Sequence, residues 1–183
     1  EQFDSANNMS DRLAALTAIV NSAAPFKAEL LVRTAREWQG DPLLMNKWFQ
    51  VQATAHALPG EASVVERGRL LMRHRSFSIA NPNNVYALVL AFCRSNEAEF
   101  HRADGSGYAF WVEQVLVEAQ QVLALDGLNP QVAARVARAL DRWRKFTPDR
   151  ARLMRAALAE VAGRDKLSGD VREIVSKALD NSN

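Results

Sequence analysis

The chain has a single cysteine, Cys93, so no internal disulfide framework can form, and a reducing compartment suits it. Histidine is also scarce. His56, His74 and His101 stand far apart, and none belongs to a His-Glu-x-x-His pair, the spacing that sets two imidazoles around zinc on one helix face. The sequence has no Gly-x-Ser-x-Gly elbow, no Walker loop and no dinucleotide fingerprint. No apolar run approaches the ~20 residues that cross a bilayer as a helix, so no membrane partner is expected. Nor is there a surplus of one charge. Basic residues number 23 and acidic residues 21, and a net charge of +2 is too small to draw nucleic acid or acidic lipid. No stretch alternates apolar and polar residues with β-branched enrichment, so no sheet is expected. The opening Glu1-Gln2-Phe3-Asp4 has neither the basic nor the apolar region of a signal peptide. It also lacks an initiator Met, which suggests a fragment boundary.

What is there is helix, nearly throughout. Hydrophobic residues make up 48% of the 183 and charged residues 24%, enough for one compact domain or a short solenoid. Leu13, Leu16, Ile19 and Val20 repeat at helical spacing, with Ser10 in the place of an N-cap. Asp41-Pro42, Asn81-Pro82, Asn129-Pro130 and Thr147-Pro148 each read as a helix start, because proline at the first helical position gives up only an N–H that has no partner there. Ser168 before Gly169-Asp170-Val171 is a fifth. The pattern predicts about nine helices, over 8–22, 25–38, 42–55, 61–73, 82–94, 106–126, 130–144, 148–162 and 169–180. Short loops and successive helix pairs suggest stacked hairpins of the HEAT or armadillo kind, with a single bundle as the alternative. In the long helix over 106–126, Val-Glu-Gln-Val-Leu is followed by Val-Glu-Ala-Gln-Gln-Val-Leu, which reads either as a partial duplication or as ordinary helical periodicity.

Among polar groups the arginines stand out. Arg67, Arg69, Arg73 and Arg75 flank one apolar stretch, and Arg135, Arg138, Arg142, Arg144 and Lys145 lie on or after another helix. Acidic residues intersperse them and the aromatics sit at core spacing, so solvated faces are expected rather than a nucleic-acid stripe. Cys93 follows Phe92 on an apolar helix and reads as a core residue. Gly105-Ser106-Gly107 reads as a helix-entry loop, not a phosphate cradle.

The stretch His74-Arg75-Ser76-Phe77-Ser78-Ile79-Ala80-Asn81-Pro82-Asn83 resembles a segment of the C-terminal domain of M1 zinc aminopeptidases of the bacterial aminopeptidase N type. The likeness continues in order through Phe100-His101, Ala103-Asp104-Gly105-Ser106-Gly107-Tyr108 and Asn129-Pro130-Gln131-Val132-Ala133. It includes Asn7-Asn8-Met9-Ser10-Asp11-Arg12-Leu13-Ala14-Ala15-Leu16 and Lys47-Trp48-Phe49, and so covers essentially residues 1–183 as one helical domain.

The resemblance implies paired helices stacked into a superhelix that caps a catalytic domain and encloses the cavity where peptide N-termini meet zinc. The zinc ligands and general base belong to preceding domains, so this chain is expected to hold no cofactor and to be non-catalytic alone. Its implied partners are the catalytic domains of the same polypeptide and the peptide substrate, and its implied location is cytoplasmic. Arg135 matches a cavity-wall arginine after the late Asn-Pro motif. The family's second such arginine falls at Tyr86, which can donate a hydrogen bond but carries no charge. The link from Val112 to Asn129 is longer than the family's. Without the resemblance, a free-standing helical-repeat scaffold for protein partners is the reading the composition favours.

Overall fold

The computed structural model describes residues 2–116 and 125–180, and among these every regular element is helical. Nine principal helices follow in chain order: α1 Met9–Val20, α2 Lys27–Trp38, α3 Pro42–Ala53 and α4 Val64–Leu71 come first. The fifth, α5, runs through Pro82–Val85, a π turn Tyr86–Leu90 and Ala91–Ser95. Then come α6 Ser106–Leu116, α7 Pro130–Ala137, α8 Pro148–Ala162 and α9 Gly169–Asp180. Single turns at Gln2–Ser5, Glu97–Phe100 and Leu125–Leu128 lie between or before them.

The principal packing partners are neighbours or next-but-one neighbours in chain order. Helix α3 meets α1, α2, α4 and α5; α6 meets α4, α7 and α8; α9 meets α7 and α8. A closed bundle would bring the first and last helices together as principal partners. This pattern instead describes a stack whose layers each bury the face of the one before. The core runs the length of the stack, from Phe3 and Leu16 through Phe49 and Trp111 to Leu158 and Val175.

The proline-led starts are real, and their chemistry differs. Asp41 Oδ1 accepts from the N–H groups of Leu43 and Leu44, and Asn81 Oδ1 accepts from Asn83. Asn129 Oδ1 accepts from Val132 at 3.2 Å, and Ser168 Oγ accepts from Val171. Thr147 makes no side-chain cap, so Pro148 alone marks that start. Two starts differ from the sequence reading. The cap of α1 is Asn8, whose Oδ1 accepts from Asp11 N–H at 2.9 Å, which leaves Ser10 inside the first turn. Helix α4 begins at Val64, later than expected, because Ser63 and Glu66 form a reciprocal capping box.

The helix expected over 130–144 ends early, at Ala137, and passes into a 3-10 turn over Arg138–Leu140. Beyond it the chain turns to lock the end of α9. Trp143 Nε1–H and an Arg144 N–H both donate to the carbonyl of Ala178, and a second Arg144 N–H reaches Leu179. Those carbonyls lie in the last helical turn and have no partner within the helix. Two other tryptophans join helices the same way: Trp48 donates to Leu31 O and Trp111 to Val136 O. The expected helix over 106–126 is seen at Ser106–Leu116 and Leu125–Leu128, and most of the stretch that reads as either a duplication or ordinary periodicity lies outside the described residues.

Gly105 has φ +73°, and Asp104 caps Ser106, so the Gly105-Ser106-Gly107 segment is the entry to α6. A Cβ on Gly107 would lie 2.1 Å from the Phe100 carbonyl oxygen, a clash with backbone that only glycine avoids.

The contrast between caps gives a stability test. Asn129→Ala is expected to cost about 1 kcal/mol, the worth of an N-cap. Thr147→Ala, which removes no cap bond, is expected to cost clearly less. Chemical denaturation of both variants checks this, and equal losses would contradict the assignment.

Candidate functional site

The site is built on α7. Along this helix Val132, Ala133, Ala134, Val136 and Ala137 are buried, whereas Gln131 and Arg135 face out. The indole of Trp111, itself fully buried, holds the Val136 carbonyl at 2.9 Å and so sets the rotation of α7. Arg135 therefore points away from the core beside an anchored residue.

Tyr86 lies on α5, at the first residue of the π turn. A π turn inserts an extra residue into the helical repeat and shifts the face that follows, a device common at functional sites. Val85 and Ala87 on either side of it are buried, and Tyr86 is half-buried. The guanidinium carbon of Arg135 lies over its ring, 5.0 Å from the centroid. The two residues singled out from the resemblance, 49 positions apart, thus meet in space.

Arg135 also lines an open concavity of about 660 Å³ with Leu90, Arg94, Arg138, Asp170, Glu173 and Ile174 among its walls. No described carboxylate forms an ion pair with Arg135, although two line the same hollow. Glu173 pairs instead with Lys177, and Arg138 pairs with Asp141 at 3.7 Å. The hollow thus presents a guanidinium oriented by a neutral ring, with its N–H edges open to an incoming acceptor.

Most other arginines are engaged within the fold. Arg69 makes two hydrogen bonds to Glu113, at 2.6 and 3.1 Å, joining α4 to α6. Arg144 caps α9, and Arg150 donates to the His101 carbonyl. Arg67 and Lys27 converge on Glu61, which also accepts from the Leu58 N–H. The histidines stand apart: His56 is exposed, and the other two are packing residues. The ring of His74 lies against Trp48 and Phe49; that of His101 packs on Phe146 and hydrogen-bonds the Tyr108 hydroxyl. Burial first, then a nearby arginine, lowers the pKa of His74; burial, with a smaller push from Arg150, lowers that of His101 against Glu97. Cys93 is fully buried, and burial pushes its thiol far up. No group of three or more His, Cys, Asp or Glu among the described residues is placed to hold a metal ion. No helix among them is long and apolar enough to cross a membrane.

Short helices stacked in chain order, with no strand among the described residues, define an all-helical repeat domain of the armadillo kind. Residues 1–180 match the family described as "Domain of unknown function (DUF3458_C) ARM repeats", and the chain belongs to that family. It is 43% identical to aminopeptidase N of Escherichia coli (strain K12), over 98% of its own length. Against aminopeptidase N of Haemophilus influenzae the identity is 39%, again over 98% of the chain. The solved structure of Legionella pneumophila aminopeptidase A in complex with aspartic acid matches with a TM-score of 0.86 at 32% identity. That match covers 98% of this chain and 20% of the other. The chain thus spans about a fifth of the length of its relatives, 19% in each aminopeptidase N, and corresponds to their C-terminal region.

The Lys27–Glu61–Arg67 cluster ties α2 and α4 to the loop between α3 and α4, and it carries a pH signature. The Lys27 ammonium above all, with the Leu58 N–H and Arg67, holds the Glu61 carboxyl below its ordinary range, against the opposing effect of burial. A carboxyl with a lowered folded-state pKa contributes stability above its unfolded value, about 4.3, and loses it as pH falls through the lowered one. Glu61→Gln should therefore lower the melting temperature at pH 7, and the gap should narrow as pH falls below about 4. Thermal melts across pH 3–7 check this. A gap independent of pH would mean that Glu61 acts through packing alone.

Proposed function

We propose that this chain is the C-terminal capping and substrate-channel domain of an M1-type zinc aminopeptidase, an enzyme that removes N-terminal residues from peptides. Arg135 carries this reading. It is an exposed guanidinium oriented by an aromatic ring, without an ion-pair partner among the described residues, at the wall of an open hollow. A structural arginine would be expected to spend its N–H groups within the fold, as Arg69 does on Glu113 and Arg150 does on the His101 carbonyl. The likeness to two aminopeptidases N and an aminopeptidase A supports the peptidase assignment, and it weighs against a free-standing scaffold.

In this reading the partners are the catalytic domains of the same polypeptide and the peptide, in a cytoplasmic enzyme. The activated water would come from zinc held in the catalytic domain. The present residues bind and orient. Arg135 donates charge-assisted hydrogen bonds to carbonyl or terminal carboxylate oxygens of a peptide that extends past the cleaved residue. Such contacts act alike on ground and transition states, so they lower KM more than they raise kcat.

Two outcomes follow. Arg135→Ala in the full-length protein should raise KM for a tripeptide by about fivefold, or about 1 kcal/mol, and leave a single-residue amide nearly unaffected. Steady-state kinetics on both substrates measure it, and equal effects would indicate a distorted domain rather than a lost contact. The isolated chain with added zinc should not hydrolyse an N-terminal amide reporter. Hydrolysis that survives purification and disappears on mutating a residue of this chain would overturn the assignment.

A further inference from the structure

We propose that Tyr86 is a positioning residue for Arg135: its ring face holds the guanidinium over the hollow without consuming the donors that a peptide needs. This rests on the chamber role of Arg135 proposed above.

An exposed arginine spreads its head group over many rotamers, and ordering it weakens every contact it makes. Nature commonly orders such a group with a carboxylate, which occupies N–H edges and cancels the charge. The hollow offers two carboxylates, Asp170 and Glu173, yet neither forms an ion pair with Arg135. Instead the guanidinium lies over Tyr86. A ring face attracts the cation through its quadrupole, carries no net charge and leaves the N–H edges free. The backbone is built for this contact from both sides. The π turn begins at Tyr86 between buried residues, and Trp111 fixes α7 one residue after Arg135. The ring and the guanidinium thus stand on separately anchored elements, and their alignment is set before any ligand arrives. The ligand this arrangement fits is an oxygen acceptor, a backbone carbonyl or the free carboxylate of a short peptide.

The test is a double-mutant cycle in the full-length protein, read as KM for a tripeptide, with thermal melts alongside. Tyr86→Leu is expected to raise KM about threefold with kcat retained, the scale of one exposed cation–ring contact. Tyr86→Met, which keeps bulk without a ring, should do the same and guards against a folding defect in the first variant. Tyr86→Phe should keep the wild-type KM, because the face and not the hydroxyl acts. In an Arg135→Ala background, Tyr86→Leu should have no further effect, since the ring acts only through the arginine. An equal rise in that background, or a Phe variant as impaired as Leu, would overturn the proposal, as would no rise for either Leu or Met. If Arg135→Ala raises KM and Tyr86→Leu does not, the chamber role stands and the positioning role falls. If Arg135→Ala itself is silent, both fall.

Discussion

The hydrogen bond from the Trp111 indole to the Val136 carbonyl is the interaction on which the rest of the site depends. Trp111, Val136 and the surrounding Ala133, Ala137 and Leu140 are all fully buried. Such a contact combines the burial of a large ring with satisfaction of a carbonyl near the end of a short helix. At eight residues α7 is too short to hold itself in water, so it takes its orientation from α6. Rotation of α7 by one residue would carry Arg135 toward the core and bring an apolar side chain to the hollow.

The same logic repeats along the stack. Trp48 holds α2 against α3, and Trp143 with Arg144 holds the last turn of α9. Each case couples a bulky amphipathic side chain to a backbone acceptor on a neighbouring layer. The exposed Arg69–Glu113 pair adds a cross-link of small individual worth, and the part-buried Lys27–Glu61 pair adds another. The buried rings, more than the charges, determine how one layer sits on the next.

A repeat stack of this sort leaves side-chain positions along its surface free for contact with other molecules. Arg135 and Tyr86 occupy one such place. The Arg135 cation is neither buried, where desolvation would penalise it, nor ion-paired among the described residues, where its charge would be cancelled. In the channel role proposed above, this balance suits a wall that attracts polar peptide atoms and then releases them.

Helix content, the proline-led starts and the family likeness were legible in the residues, because capping, proline geometry and the helical period are local properties. Asn8 and Ser63 as caps were also legible in principle, through Asn8-x-x-Asp11 and Ser63-x-x-Glu66, although Ser10 and position 61 drew attention first. The π turn at Tyr86–Leu90 left no comparable signal, since no capping residue or helical period marks such a turn in the sequence. Nor did the early end of α7, which follows from the recruitment of Trp143 and Arg144 to a helix more than 30 residues further along the chain. Sequence nominated Arg135 and Tyr86 separately, by resemblance. Only the tertiary structure brought the ring beneath the guanidinium, because that contact depends on the relative rotation of two helices, and rotation is decided by buried neighbours far away in the chain.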